Sequence, residues 1–115
     1  MKILVTGGSG FIGKHLIKKL QNEHELIIYE NFSNSSEEDF LNLLKNNISL
    51  IKGDMTNFSL LKKSLMNVDL VIHLAAKIDI LESITHPNDT HKINVEGSLN
   101  ILRCCVENNI KNFIS

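Results

Sequence analysis

The sequence predicts an α/β fold, a doubly wound parallel sheet with strand order 3-2-1-4-5. Two observations carry this. Short apolar runs alternate along the chain with helical patterns, which is the arrangement of a parallel sheet. A glycine-rich turn, GGSGFIG at 7–13, joins the first apolar run to the first helical pattern, as in folds of this type that bind a ligand between strands 1 and 4.

The elements follow in order. Lys2 to Thr6 is apolar without alternation, the mark of a strand buried on both faces. Residues 11–22 repeat apolar side chains at 12, 16, 17 and 20, one face of a helix. Leu26 to Glu30 is a second strand. Ser35 or Ser36 can cap a helix reaching about Asn46, with Glu37, Glu38 and Asp39 in its first turn, where the helix dipole favours acids. Ile48 to Lys52 is a third strand. A helix from Asn57 to Met66 gathers Phe58, Leu61 and Leu65 on one side. Val68 to Leu74 is a fourth strand. A long helix is expected from about Asp89 to Asn108, and Lys111 to Ser115 begin a fifth strand.

Composition narrows the function. The chain has 115 residues, one domain's worth, and a formal charge of −1, which offers nothing to nucleic acid or to an acidic membrane. It shows no signal peptide and no apolar run near the ~18 residues of a membrane span. Cys104 and Cys105 are adjacent, without metal-ligand spacing, and read as small buried residues of a reduced, cytoplasmic protein. The histidines are scattered, and no zinc pattern links His86 and His91. Asn-x-Ser/Thr matches such as those at Asn31 and Asn88 are chance in an Asn-rich sequence.

The glycine turn carries the clearest chemistry. A loop from a buried strand into a helix start turns backbone N–H groups outward at the positive end of the helix dipole, where anions bind. Gly7 permits the tight turn, Gly10 lets a pyrophosphate approach the backbone, and Gly13 lets the helix pack closely on the strand. No Gly-Lys-Ser/Thr follows, which excludes a P-loop. Glu30 closes the second strand, where a carboxylate can accept from both hydroxyls of an adenosine ribose and would repel a 2′-phosphate. The single arginine, Arg103, lies far along the chain. NAD is therefore expected over NADP.

With these pieces placed, the chain resembles the extended short-chain dehydrogenase/reductases, in particular the NAD-dependent nucleotide-sugar epimerases and dehydratases. The residues that carry the likeness are TGGSGFIGKHL at the glycine loop, YENFSN after the second strand, KGDMTN after the third and VIHLAA at the end of the fourth. ESITHPNDTHKINVEGSLNILRCC, running into the long helix, completes the set. Glu30 stands where the family usually has Asp, and Asn57 where it has a second Asp. The resemblance implies a Rossmann fold and assigns roles. Gly7, Gly10, Phe11, Ile12 and Gly13 would cradle the pyrophosphate. Glu30 and Asn31 would hold the adenosine ribose. Asp54 and Met55 would edge the adenine, with Asp54 accepting from its amino group. Leu74, Ala75 and Ala76 would line the cofactor, Lys77 would touch it, and Asn94 would order the region near the nicotinamide ribose. Ser83 matches a position near the substrate.

The family's chemistry implies hydride transfer assisted by a tyrosine base with a lysine four residues later. Here the single tyrosine, Tyr29, is followed at that distance by Ser33, so no Tyr-x-x-x-Lys pair exists. The chain is expected to be an NAD-binding domain over 1–115, cut off after the start of strand five and without the sugar-nucleotide lobe. Alone it is expected to be inactive. A stand-alone dinucleotide-binding module is the alternative. Val95, Leu99, Leu102 and Val106 give the 89–108 helix an apolar face, which predicts self-association.

Overall fold

The computed structural model describes residues 1–32, 35–44, 47–75, 84–85, 87–88 and 92–115, of which 92 and 93 are described as backbone only. Five parallel strands form one sheet: β1 (Lys2–Thr6), β2 (Glu25–Glu30), β3 (Ile48–Lys52), β4 (Leu70–His73) and β5 (Asn112–Ile114). Their order is β3-β2-β1-β4-β5, as the sequence predicts. Helices α1 (Phe11–Leu20), α2 (Glu37–Leu41), α3 (Phe58–Ser64) and α4 (Gly97–Glu107) connect them, and a π-helical stretch at Lys92–Glu96 leads into α4.

The central strands divide their apolar residues between two cores, which is why they read as continuous apolar runs. Ile3, Val5, Leu26, Ile28 and Ile72 face Ile17 of α1 and Phe40 of α2. Leu4, Ile27, Tyr29 and Val71 face Leu61 of α3 and Ile101, Cys104 and Cys105 of α4. The register pairs Thr6 with Tyr29 on one side and with His73 on the other. The C-terminal ends of β1, β2 and β4 therefore meet along one edge of the sheet.

Three elements differ from the sequence reading. The helix expected to reach Asn46 ends at Leu41. Ser36 caps it by accepting from Asp39 N at 3.3 Å, but only Phe40 is buried, too little apolar contact to hold further turns. Strand β4 is shorter than Val68–Leu74, spanning Leu70–His73. The long helix opens with the π-helical stretch rather than α-helix, and 89–91 lie outside the described residues. Its expected apolar stripe is exposed, with Val95 44%, Leu99 55%, Leu102 44% and Val106 76% accessible. Among the described residues no helix is long and apolar enough to cross a membrane.

Candidate functional site

The glycine turn leaves β1 between its two neighbours. Gly7 N donates to Tyr29 O at 3.1 Å, and Leu74 N donates to Thr6 O at 3.0 Å. Gly7 has φ +70°, and a Cβ on it would stand 2.7 Å from Ala75 N. Both the left-handed backbone and the approach of β4 demand glycine. Gly10 is different. A Cβ there would meet only Gly7 O, at 3.6 Å, and otherwise point into open space. Gly10 is also the N-cap of α1 and offers no side-chain acceptor. The first-turn amides of Phe11, Ile12 and Gly13 have no intrahelical partner of their own, and glycine at position 10 keeps the space beside them clear. The side chains of Phe11 and Ile12 are exposed, so their backbone is what the turn contributes. Gly13 packs α1 against the turn that leaves β1, a Cβ falling 2.5 Å from Gly8 O.

At the end of β2, Glu30 is 9% exposed. Its Oε1 accepts from Phe32 N at 3.1 Å, while Oε2 is enclosed and has no hydrogen-bond partner among the described residues. Phe32 adopts φ +57°, an uncommon conformation for an aromatic residue, and packs its ring against Phe40 at 5.7 Å. This bend turns the Phe32 amide back onto Glu30. An unpaired buried carboxylate oxygen is costly, so the side chain gains by swinging toward any donor in the crevice. Asn31 beside it is exposed. Ser9 of the glycine turn hydrogen-bonds Ser35, tying this loop to the first.

Asp54 follows β3. Its Oδ1 accepts from Thr56 N and Thr56 Oγ1, both at 2.8 Å, and Asn57 caps α3 instead, accepting from Leu60 N. Tyr29 donates to Asp54 O at 2.7 Å. Burial first, then the nearby Asp54 carboxylate and the Cys104 thiol, push the Tyr29 phenol up to about 12. The single tyrosine is a core strut and is unsuited to act as a base. Met55 is buried in the core, and its carbonyl accepts from Asn100 Nδ2 at 3.0 Å. The Met55 side chain, expected at the adenine edge, is thus committed to the core.

At the end of β4, Leu74 and Ala75 are half-buried beside Gly7. Ala76, Lys77 and Ser83 lie outside the described residues. Asn94, half-buried, sits in the π-helical stretch, and its carbonyl accepts from Ser98 Oγ. Sequence reading missed Thr6, Phe32, Ser98 and Asn100. Nothing in their residue types signals these contacts, which join segments far apart or depend on one unusual φ.

The sequence model of the NAD dependent epimerase/dehydratase family matches residues 3–115. A UDP-glucose 4-epimerase of Klebsiella pneumoniae is 34% identical over 121 residues, covering 99% of this chain and 86% of that protein. The solved UDP-N-acetylglucosamine 4-epimerase from Methanobrevibacter ruminantium M1, in complex with UDP-N-acetylmuramic acid, is similar at TM-score 0.88 and 34% identity, covering 97% of this chain and 36% of that one. DesIV, a dTDP-glucose 4,6-dehydratase from Streptomyces venezuelae with NAD and TYD bound, gives TM-score 0.91 at 27% identity, covering 98% and 38%. Against both structures, and against other curated relatives, the chain spans about a third of their length.

Proposed function

The chain belongs to the NAD dependent epimerase/dehydratase family, and we propose that it is the NAD-binding part of a nucleotide-sugar epimerase or dehydratase. The observation that carries this is Glu30, buried at the end of β2 with one carboxylate oxygen unpaired. It suits a diol and opposes a 2′-phosphate. The open space at Gly10 fits a pyrophosphate beside it. In this reading Gly7, Gly10 and the amides of Phe11, Ile12 and Gly13 hold the pyrophosphate. Glu30 and Asn31 take the ribose hydroxyls. Asp54 and the Met55 backbone border the adenine. Leu74, Ala75, Ala76, Lys77 and Asn94 serve the nicotinamide side. When bound, NAD supplies a hydride acceptor and donor; the chain's own residues bind and orient it.

The reading is tested by titrating the chain with NAD and with NADP. Tighter binding of NAD is expected, and equal or better binding of NADP overturns it. Incubation with NAD and a panel of UDP-, GDP- and dTDP-sugars is expected to give neither epimerised nor dehydrated product. A positioned base supplies typically ~10²–10⁴-fold of such a rate, and Tyr29 is buried and committed to Asp54. That commitment also favours a second reading, a dinucleotide-binding module without turnover. Product that disappears in Gly10→Val would refute both expectations of inactivity.

The exposed stripe Val95, Leu99, Leu102 and Val106 supports self-association through α4. Light scattering at high concentration is expected to show dimers or larger species, and a clean monomer would count against it. The cysteines are free and buried, in keeping with a reducing, cytoplasmic setting.

A further inference from the structure

A polar chain, buried at Thr6 and His73, links three of the residues assigned above through groups that have no role in that assignment. Thr6 ends β1 directly under the exit of β4. Its Oγ1 accepts from Ala75 N at 3.2 Å and, at 3.2 Å, shares with Thr6 O the hydrogen of Leu74 N. A backbone N–H can only donate. Both N–H groups point at the hydroxyl oxygen, which turns its proton toward a third group. That group is His73 Nδ1, 2.6 Å away. Nδ1 is thus an acceptor, and the ring carries its proton on Nε2. Nε2 lies 3.2 Å from Ser98 Oγ, and Ser98 passes its own proton to the Asn94 carbonyl at 2.7 Å. Each group then has one consistent role, from two backbone amides at the crevice floor to a carbonyl of the π-helical stretch. A proton on Nδ1 would reverse the first link, leaving the Thr6 hydroxyl facing donors and, among the described residues, no acceptor for its hydrogen.

We propose that His73 is a positioning residue of the crevice. Held as the neutral Nε2–H tautomer, it aims the Thr6 hydroxyl so that Thr6 fastens Leu74 and Ala75, and it ties that lip to the helix start carrying Asn94. The proposal rests on the dinucleotide reading of the crevice for its function, and on geometry alone for the tautomer. Burial also lowers the His73 pKa, in keeping with a neutral ring, and Phe113 packs beside it at 6.1 Å between ring centroids.

Two measurements on the whole chain test it. Long-range proton–nitrogen correlation spectra of the ¹⁵N-labelled chain at neutral pH, with His73 assigned by the signals that vanish in His73→Asn, are expected to show an unprotonated Nδ1 and a protonated Nε2. An Nδ1–H ring, or the tautomer mixture of a free imidazole, overturns the proposal whether or not NAD binds. The second measurement is NAD affinity in two variants. In His73→Asn the amide oxygen replaces Nδ1 and can still accept from Thr6. In His73→Gln the amide reaches the Nε2 position and leaves Thr6 without an acceptor. His73→Asn is expected to stay within about twofold of the parent, and His73→Gln to lose about tenfold, the scale of one unsatisfied buried group. The reverse order, or equal losses in both, overturns it. Absence of NAD binding in the parent chain refutes the dinucleotide reading and leaves the tautomer result to stand or fall by itself.

Discussion

The two sides of the crevice are built by different means. On the side proposed for the adenosine, single residues after strand ends carry the features. Gly10 keeps a space clear, and Glu30 waits with an unpaired oxygen. On the β4 side, nothing acts alone. Thr6, His73 and Ser98 form a chain whose first link joins residues 67 positions apart. The first side shows how a binding surface can be encoded in a short motif. The second shows how the surface opposite is kept in place by contacts that no motif contains.

The sharpest break of this comparison lies within the glycine turn. Gly10→Val is expected to abolish NAD binding with the fold retained. The new side chain enters open space, and the backbone there, at φ −73° and ψ 177°, suits valine. Gly7→Ala is expected to fail the other way, costing about 1–2 kcal/mol for the left-handed backbone alone, with the contact on Ala75 N in addition. Circular dichroism and thermal melts beside a titration separate the two. Unchanged affinity in Gly10→Val would leave the turn with a packing role only.

Glu30→Ala comes next. Each hydrogen bond to the charged acceptor is worth about 1.5–3 kcal/mol, so NAD should weaken by roughly tenfold or more and the preference over NADP should narrow. A titration with both dinucleotides measures this, and an unaltered ratio would show that Glu30 does not face the 2′ position.

Smaller effects sharpen the contrast through pH. Burial holds the His73 pKa below its ordinary 6.5, so the unfolded chain binds the extra proton first on acidification. The contribution of His73 is fully present above about 6.5 and is lost as pH falls toward its folded pKa. Chemical denaturation between pH 7.5 and 5 should show a slope that flattens in His73→Asn. Tyr29 works at the other end. Its pKa is raised from 10.0 to about 12, so its contribution is intact below 10 and lost as pH rises toward 12. Tyr29→Phe should reduce the alkaline slope of denaturation between pH 9 and 11, the remainder coming from Cys104 and Cys105, whose thiols burial also pushes up.

The sequence by itself determined the sheet and its order, because buried parallel strands and amphipathic helices differ in local periodicity. It also located the turn at Gly7, Gly10 and Gly13 and the carboxylate of Glu30, since each sits at the end of a strand legible from its own neighbours. The expected reach of α2 to Asn46 failed because helix length was set by burial of Phe40 alone. The tertiary structure decided the rest. Gly13 closes on Gly8 of the turn, Phe32 bends to hold one oxygen of Glu30, and Asn100 crosses to Met55. The tautomer proposed for His73 likewise depends on backbone amides on one side and a serine on the other. These depend on where distant segments come to rest, and a hydrogen-bonding side chain in sequence carries no record of the partner that folding will bring to it.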